Sequence, residues 1–129
     1  MSAPSLTTTV QVRFADLDPL GHVNHVQYLV FMEVARIRFM HEFGGVLRGG
    51  VLVARTETDH RAEVPSSTLS VDVTVSVESI GRTSFVVRHD VVDAGTAVAL
   101  GRVVLVAVDE QHRPRPVTEE ERARLLGTG

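Results

Sequence analysis

Residues 25–43, HVQYLVFMEVARIRFMHEF, decide how this chain folds. Neither proline nor glycine interrupts them. Asn24 and Gln27 have the spacing of a capping box at their start, and Gly44-Gly45 supplies a stop. The pattern predicts one long helix from His25 to about Phe43. At about 100° per residue, Val26, Leu29, Val30, Ile37 and Met40 share one arc, while Tyr28, Met32, Ala35, Phe39 and Phe43 occupy a neighbouring one. Only Gln27, Arg38, His41 and Glu42 make a polar stripe. A helix apolar over most of its circumference has to be covered on most sides, so it is expected to lie across or inside something concave. Glu33 falls in the middle of the first arc, where a lone carboxylate is costly unless paired, hydrogen-bonded or protonated.

The flanking segments supply that concavity. Leu69, Val71, Val73, Val75 and Val77 alternate with Ser70, Asp72, Thr74, Ser76 and Glu78, the period of a strand with one buried face. Thr7 to Phe14 reads as a first strand, and Val51 to Ala62 is extended in character. Gly81 turns the chain into Thr83 to Val92, and Ala94-Gly95 turns it into Thr96 to Asp109, giving successive antiparallel hairpins. Val103 to Val108 is continuously apolar, which suits a strand covered on both faces. Thr118 with Glu121 opens a short helix to about Leu126, expected to decorate the surface. The fold class is therefore α+β: a curved antiparallel sheet of about five strands wrapped around one long helix. Such a sheet has exposed edges, and pairing them between copies predicts a homodimer or a dimer of dimers, that is, a homotetramer.

At 129 residues, the chain is sized for a single domain spanning 1–129. No apolar run reaches the roughly 18 to 20 residues needed to cross a bilayer, and the opening MSAPSLTTTV lacks a basic n-region and an apolar h-region. A cytoplasmic protein without a membrane partner is the expectation. Cysteine is absent, which removes disulfides, thiolate metal sites and a cysteine nucleophile. Lysine is absent too, which removes Schiff-base chemistry and a Walker-type phosphate loop. A net charge of -3 with scattered arginines gives no general pull toward nucleic acid.

The chemistry concentrates just before the long helix. Asp16-Leu17-Asp18-Pro19-Leu20-Gly21-His22-Val23-Asn24-His25 carries two carboxylates, two imidazoles and an amide in a turn-forming context. Backbone N–H groups at a helix start can polarise a carbonyl and hold a developing oxyanion. A nearby carboxylate can attack that carbonyl or activate water, and a histidine can orient water or pass a proton. Asp and Pro before a helix are also common caps and turn formers, so a purely structural role stays open on composition. The histidines and acids at this loop have no strong metal-ligand spacing, and no metal is expected.

The run Arg13-Phe14-Ala15-Asp16-Leu17-Asp18-Pro19-Leu20-Gly21-His22-Val23-Asn24-His25-Val26-Gln27-Tyr28, continuing through Phe31-Met32-Glu33-Val34-Ala35-Arg36, resembles the signature of 4-hydroxybenzoyl-CoA thioesterase-like proteins, which are hotdog-fold thioesterases. Gly81-Arg82-Thr83-Ser84-Phe85 resembles the family's turn before the fourth strand. The resemblance implies that Asp18 is the catalytic carboxylate and that His25 assists, by its position in one branch of the family. His22 and Asn24 match the G-H-V-N form of another branch. Phe14 stands where the first branch can carry a helper tyrosine, a departure from that pattern. The implied activity is hydrolysis of an acyl-CoA or acyl-carrier-protein thioester, with no cofactor beyond the coenzyme A of the substrate itself.

Around that centre, Tyr28 and Glu33 are candidates to shape the acyl site, each with packing or a structural tie as the other reading. Arg82, beside Ser84, is the foremost candidate for the coenzyme A phosphates, with Arg61 and Arg88 behind it, because guanidinium groups bind phosphate bidentately. Two other functions use the same fold: a non-catalytic acyl-CoA-binding protein, and an enoyl-CoA hydratase-like enzyme whose D-x-N-P-x-H loop the segment Asp16 to His22 echoes imperfectly.

Overall fold

The computed structural model describes residues 3–44 and 49–128. Strand β1 (Ser5–Gln11) leads through a single 3-10 turn (Phe14–Asp16) into helix α1 (His25–Phe39), which ends in a wider π turn over Met40–Gly44. Four strands follow: β2 (Val51–His60), β3 (Ser70–Ile80), β4 (Ser84–Asp93) and β5 (Thr96–Ala107), and then helix α2 (Glu119–Leu126). All neighbours pair antiparallel in the order β1-β3-β4-β5-β2, so β1 and β2 are the edges. This is the antiparallel sheet with one long helix expected from the alternating strands, in the hotdog arrangement that the resemblance implies.

The period-two pattern turns Val71, Val73, Val75 and Val77 of β3 and Phe85, Val87 and Val91 of β4 onto one face, where α1 lies. From α1, Tyr28, Phe31, Met32, Ala35, Arg36 and Phe39 are buried, the spacing of one helical face. Each large apolar side chain sealed this way contributes about 1.5–3 kcal/mol. At Gly101 of β5 there is no room for a side chain under the helix, since a Cβ would collide with the sulfur of Met32.

Beside that contact lies a buried polar group. His89 of β4 is fully enclosed, with Nδ1 3.3 Å from the Gly101 carbonyl and Nε2 3.3 Å from Nη1 of the buried Arg36. Desolvation first, and then the Arg36 charge, pushes the imidazole down to about 4. The neutral ring donates through Nδ1 to Gly101 and accepts through Nε2 from Arg36, so both nitrogens are satisfied.

Several expectations change in the folded chain. The arc of Val26, Leu29, Val30 and Ile37 is exposed, with Ile37 62% accessible, because one sheet can cover only one side of a helix. Glu33 is exposed with that arc and 3.8 Å from Arg36, so no buried carboxylate has to be neutralised. The first strand stops at Gln11 rather than Phe14, because the Asp16 carboxylate draws the Arg13 amide into the following turn. The capping box at Asn24 is half made: Asn24 accepts from the Val26 amide, while the Gln27 side-chain oxygen finds no partner among the described residues. Val103 to Val108 alternates over most of its length, with Val104 and Val106 half-buried on the outer face. Helix α2 is more than decoration. Its Leu125 is fully buried, and Glu121 joins Arg115 through two 2.7 Å bonds while completing the box with Thr118. Of the expected helix stop, Gly45 lies outside the described residues.

Candidate active site

The loop between β1 and α1 places its two aspartates in different surroundings. Asp16 points inward and is fully buried, taking the Arg13 amide at 2.8 Å and the Arg13 guanidinium at 2.8 Å. The Arg13 bond holds its carboxyl below the usual range. Asp18 is turned to the half-buried outer side. Its Oδ1 accepts from the amides of Leu20 (2.9 Å) and His22 (3.2 Å), and its Oδ2 lies 3.4 Å from Nδ1 of His22. Gly21, at φ +89°, lets the chain reverse tightly enough for both amides to face one oxygen. Desolvation, the largest single influence, pushes the Asp18 carboxyl up. The amides of His22 and Leu20, with the His22 ring, outweigh it and hold the group below the ordinary carboxylate range.

A second strap from the β2–β3 connection locks this loop. Val23 donates to the Val64 carbonyl at 2.9 Å, Ser66 donates to the Gly21 carbonyl at 3.0 Å, and His22 bridges to Pro65. The same strap brings Glu63, with Oε2 3.3 Å from Nε2 of His22. Nothing local in the sequence marks Glu63, because its nearness to His22 depends on how the strap is stitched.

Of the other candidates, Asn24 serves as the helix cap. His25 faces His60, ring centres 6.0 Å apart, and among the described residues no hydrogen bond or ion pair joins it to Asp18. Tyr28 is buried with its ring 5.0 Å from His60 and 6.2 Å from Phe31. Arg61 is exposed at the end of β2, two residues before Glu63 and so at the Asp18 end of the sheet. Arg82 and Ser84 sit at the β3–β4 turn, the other end of β3, roughly 33 Å away along the strand. Arg88, midway along β4, is engaged by Asp90 at 3.0 and 3.1 Å. Among the described residues, no cluster of three or more His, Asp or Glu side chains is arranged to hold a metal ion.

A cleft of about 350 Å³ opens between α1 and β2, walled by Ile37, Met40, Val51, Val53 and Leu105 with Glu33 and Arg36 at its side.

The family model of the thioesterase-like superfamily matches residues 12–125, from the end of β1 into α2. The chain belongs to this superfamily. By that membership it is a thioester hydrolase. A thioesterase from Thermus thermophilus, solved with coenzyme A and zinc, is 36% identical, with TM-score 0.88 and coverage of 98% of this chain and 95% of that one. A predicted thioesterase from Bacillus stearothermophilus is 26% identical, with TM-score 0.85 over 95% and 94% of the two chains. A 4-hydroxybenzoyl-CoA thioesterase solved with 4-hydroxybenzoyl-CoA shares the fold at 18% identity, TM-score 0.84, over 94% and 98%. No curated protein matches the chain.

Proposed function

We propose that this thioesterase-like chain hydrolyses an acyl thioester of coenzyme A, or of a carrier protein, with Asp18 as the reacting carboxylate and His22 as its partner. The observation that carries this reading is the Asp18–His22 contact at 3.4 Å in a loop that runs directly into the N-terminus of α1. A carboxylate held below its usual range is ionised at neutral pH and weakly basic, which favours direct attack over proton abstraction. An Asp18 oxygen adds to the thioester carbonyl, the C–S bond breaks, and the thiolate leaves to take up a proton. Water then splits the mixed anhydride, releasing the free acid and restoring the carboxylate. His22 orients that water or relays the proton. Neither metal nor redox cofactor enters these steps, and the setting is cytoplasmic. In the T. thermophilus relative, coenzyme A is bound on the same fold, which supports coenzyme A as the thiol.

The working unit is a homodimer. Strand β2 is a bare edge, and next to it the arc of Leu29, Val30, Val34 and Ile37 is exposed with Leu52 and Val53. An unpaired edge beside an apolar helix face suits a second copy that continues the sheet. The α1–β2 cleft starts at Glu33, eight residues past His25 and so about 12 Å along the helix from the Asp18 end. An acyl group lying in it is best served by the Asp18 loop of the other copy.

Free-thiol release from short, long and aromatic acyl-CoAs tests the assignment, with Asp18→Asn compared at matched fold and oligomeric state. We expect kcat/KM to fall about 100-fold or more in the variant. Full turnover by a folded Asp18→Asn protein would remove Asp18 from the mechanism.

A further inference from the structure

An acidic side chain outside the loop reaches the reacting pair from a separate stretch of chain. Glu63 Oε2 stands 3.3 Å from Nε2 of His22, the ring nitrogen opposite the one that faces Asp18. The Glu63 side chain is exposed, but its backbone is fixed. The adjoining Val64 is fully buried and accepts from Val23, Pro65 bridges to His22, and Ser66 donates to Gly21. These links bind the strap to the loop on both sides of His22, so the Glu63 Cα has little freedom relative to the imidazole. An exposed ion pair adds little to stability. Its geometric effect is larger. An imidazole gripped at one nitrogen only can swing or flip about its bond to Cβ, whereas an imidazolium whose two N–H groups each face a carboxylate presents a defined nitrogen to Asp18.

We propose that Glu63 is a positioning residue that clamps the outer nitrogen of His22 and so keeps the inner nitrogen on Asp18. The proposal rests on the reading of Asp18 and His22 as the reacting pair, and Glu63 itself touches no reacting atom.

A double-mutant cycle of Glu63→Gln with His22→Ala tests it, using thiol release from the acyl-CoA that the wild type turns over fastest. Glu63→Gln keeps the shape and removes the charge. We expect kcat to fall about 3- to 10-fold with KM within about twofold, and no further loss when the change is made on His22→Ala. An unchanged kcat, or the same loss on both backgrounds, would overturn the proposal. A second readout needs no turnover: in ¹H–¹⁵N ring spectra, Glu63→Gln should move the His22 Nε2 signal, while the exposed control Glu57→Gln leaves it in place. If His22 Nε2 ignores Glu63→Gln, the clamp does not exist. If it responds while the wild type cleaves no acyl-CoA offered, the clamp stands and the coenzyme A reading fails.

Discussion

Nη1 of Arg36 lies 3.3 Å from Nε2 of His89, so a buried cation on the helix leans on a buried neutral imidazole on the sheet. His89 is held at about 4 in the folded chain, against about 6.5 when unfolded. Between those values the unfolded chain takes a proton that the folded chain refuses. Stability is therefore complete above about pH 6.5 and falls as the pH drops toward 4, by about 3 kcal/mol at most. Glu121, held at about 2 chiefly by Arg115, adds a separate loss from about 4.5 downward. Urea unfolding at pH 7, 5.5 and 4.5 checks this: the midpoint should already fall by pH 5.5, where Glu121 is still silent, and His89→Gln should flatten that first step.

At Gly101 a Cβ would run into the Met32 side chain of α1. Met32 is itself buried, so its sulfur cannot swing aside into solvent to admit a methyl group. Gly101→Ala is expected to cost about 1–3 kcal/mol through overpacking. The double variant Gly101→Ala with Met32→Ala should lose less stability in thermal unfolding than the sum of the two single losses, because the smaller side chain clears the space for the methyl group.

The two aspartates of the loop should separate in experiment. Asp16→Asn removes the charge from a buried carboxylate that an exposed Arg13 pairs with, and should lower stability by about 1–3 kcal/mol. Asp18→Asn changes a half-buried group and should leave the melting temperature close to wild type while abolishing thiol release. Calorimetry and turnover measured on the same preparations decide whether the inner acid is structural and the outer one chemical.

The exposed arc of α1 makes a prediction about assembly. Ile37→Asp places a charge on the apolar face beside β2 and should convert a dimer to a monomer in light-scattering chromatography. Turnover should fall with the dimer if the α1–β2 cleft of one copy serves Asp18 of the other. A wild type that is monomeric at assay concentration would sink the dimer reading.

Much of the fold is legible one residue type at a time. The alternation through Val71, Val73, Val75 and Val77 needs no partner to be read, because a strand shows its faces every second residue. Thr118 and Glu121 cap α2 as their spacing predicts, since a capping box is a contact three residues long. The sequence is less legible where neighbours come from afar. Glu33 reads as buried because helical periodicity identifies an apolar arc but not which arc meets the sheet. The end of strand β1 reads three residues too far along because nothing in Arg13-Phe14 announces that Asp16 will reclaim the chain.

For the site, sequence alone determined that a carboxylate and histidines gather before the long helix, because turn chemistry and helix capping act over a few bonds. Tertiary structure decided which of them come together. His22 turns to Asp18 because the loop closes through Gly21 and is stitched to Val64 and Ser66, while His25 is carried round to His60 by the first turn of α1. Glu63 reaches the same imidazole from the β2–β3 connection, and Arg82 is carried to the far end of β3. Local bonding is written into a sequence at short range, whereas the meeting of distant segments depends on how a whole sheet pairs and on which side of the helix it lies.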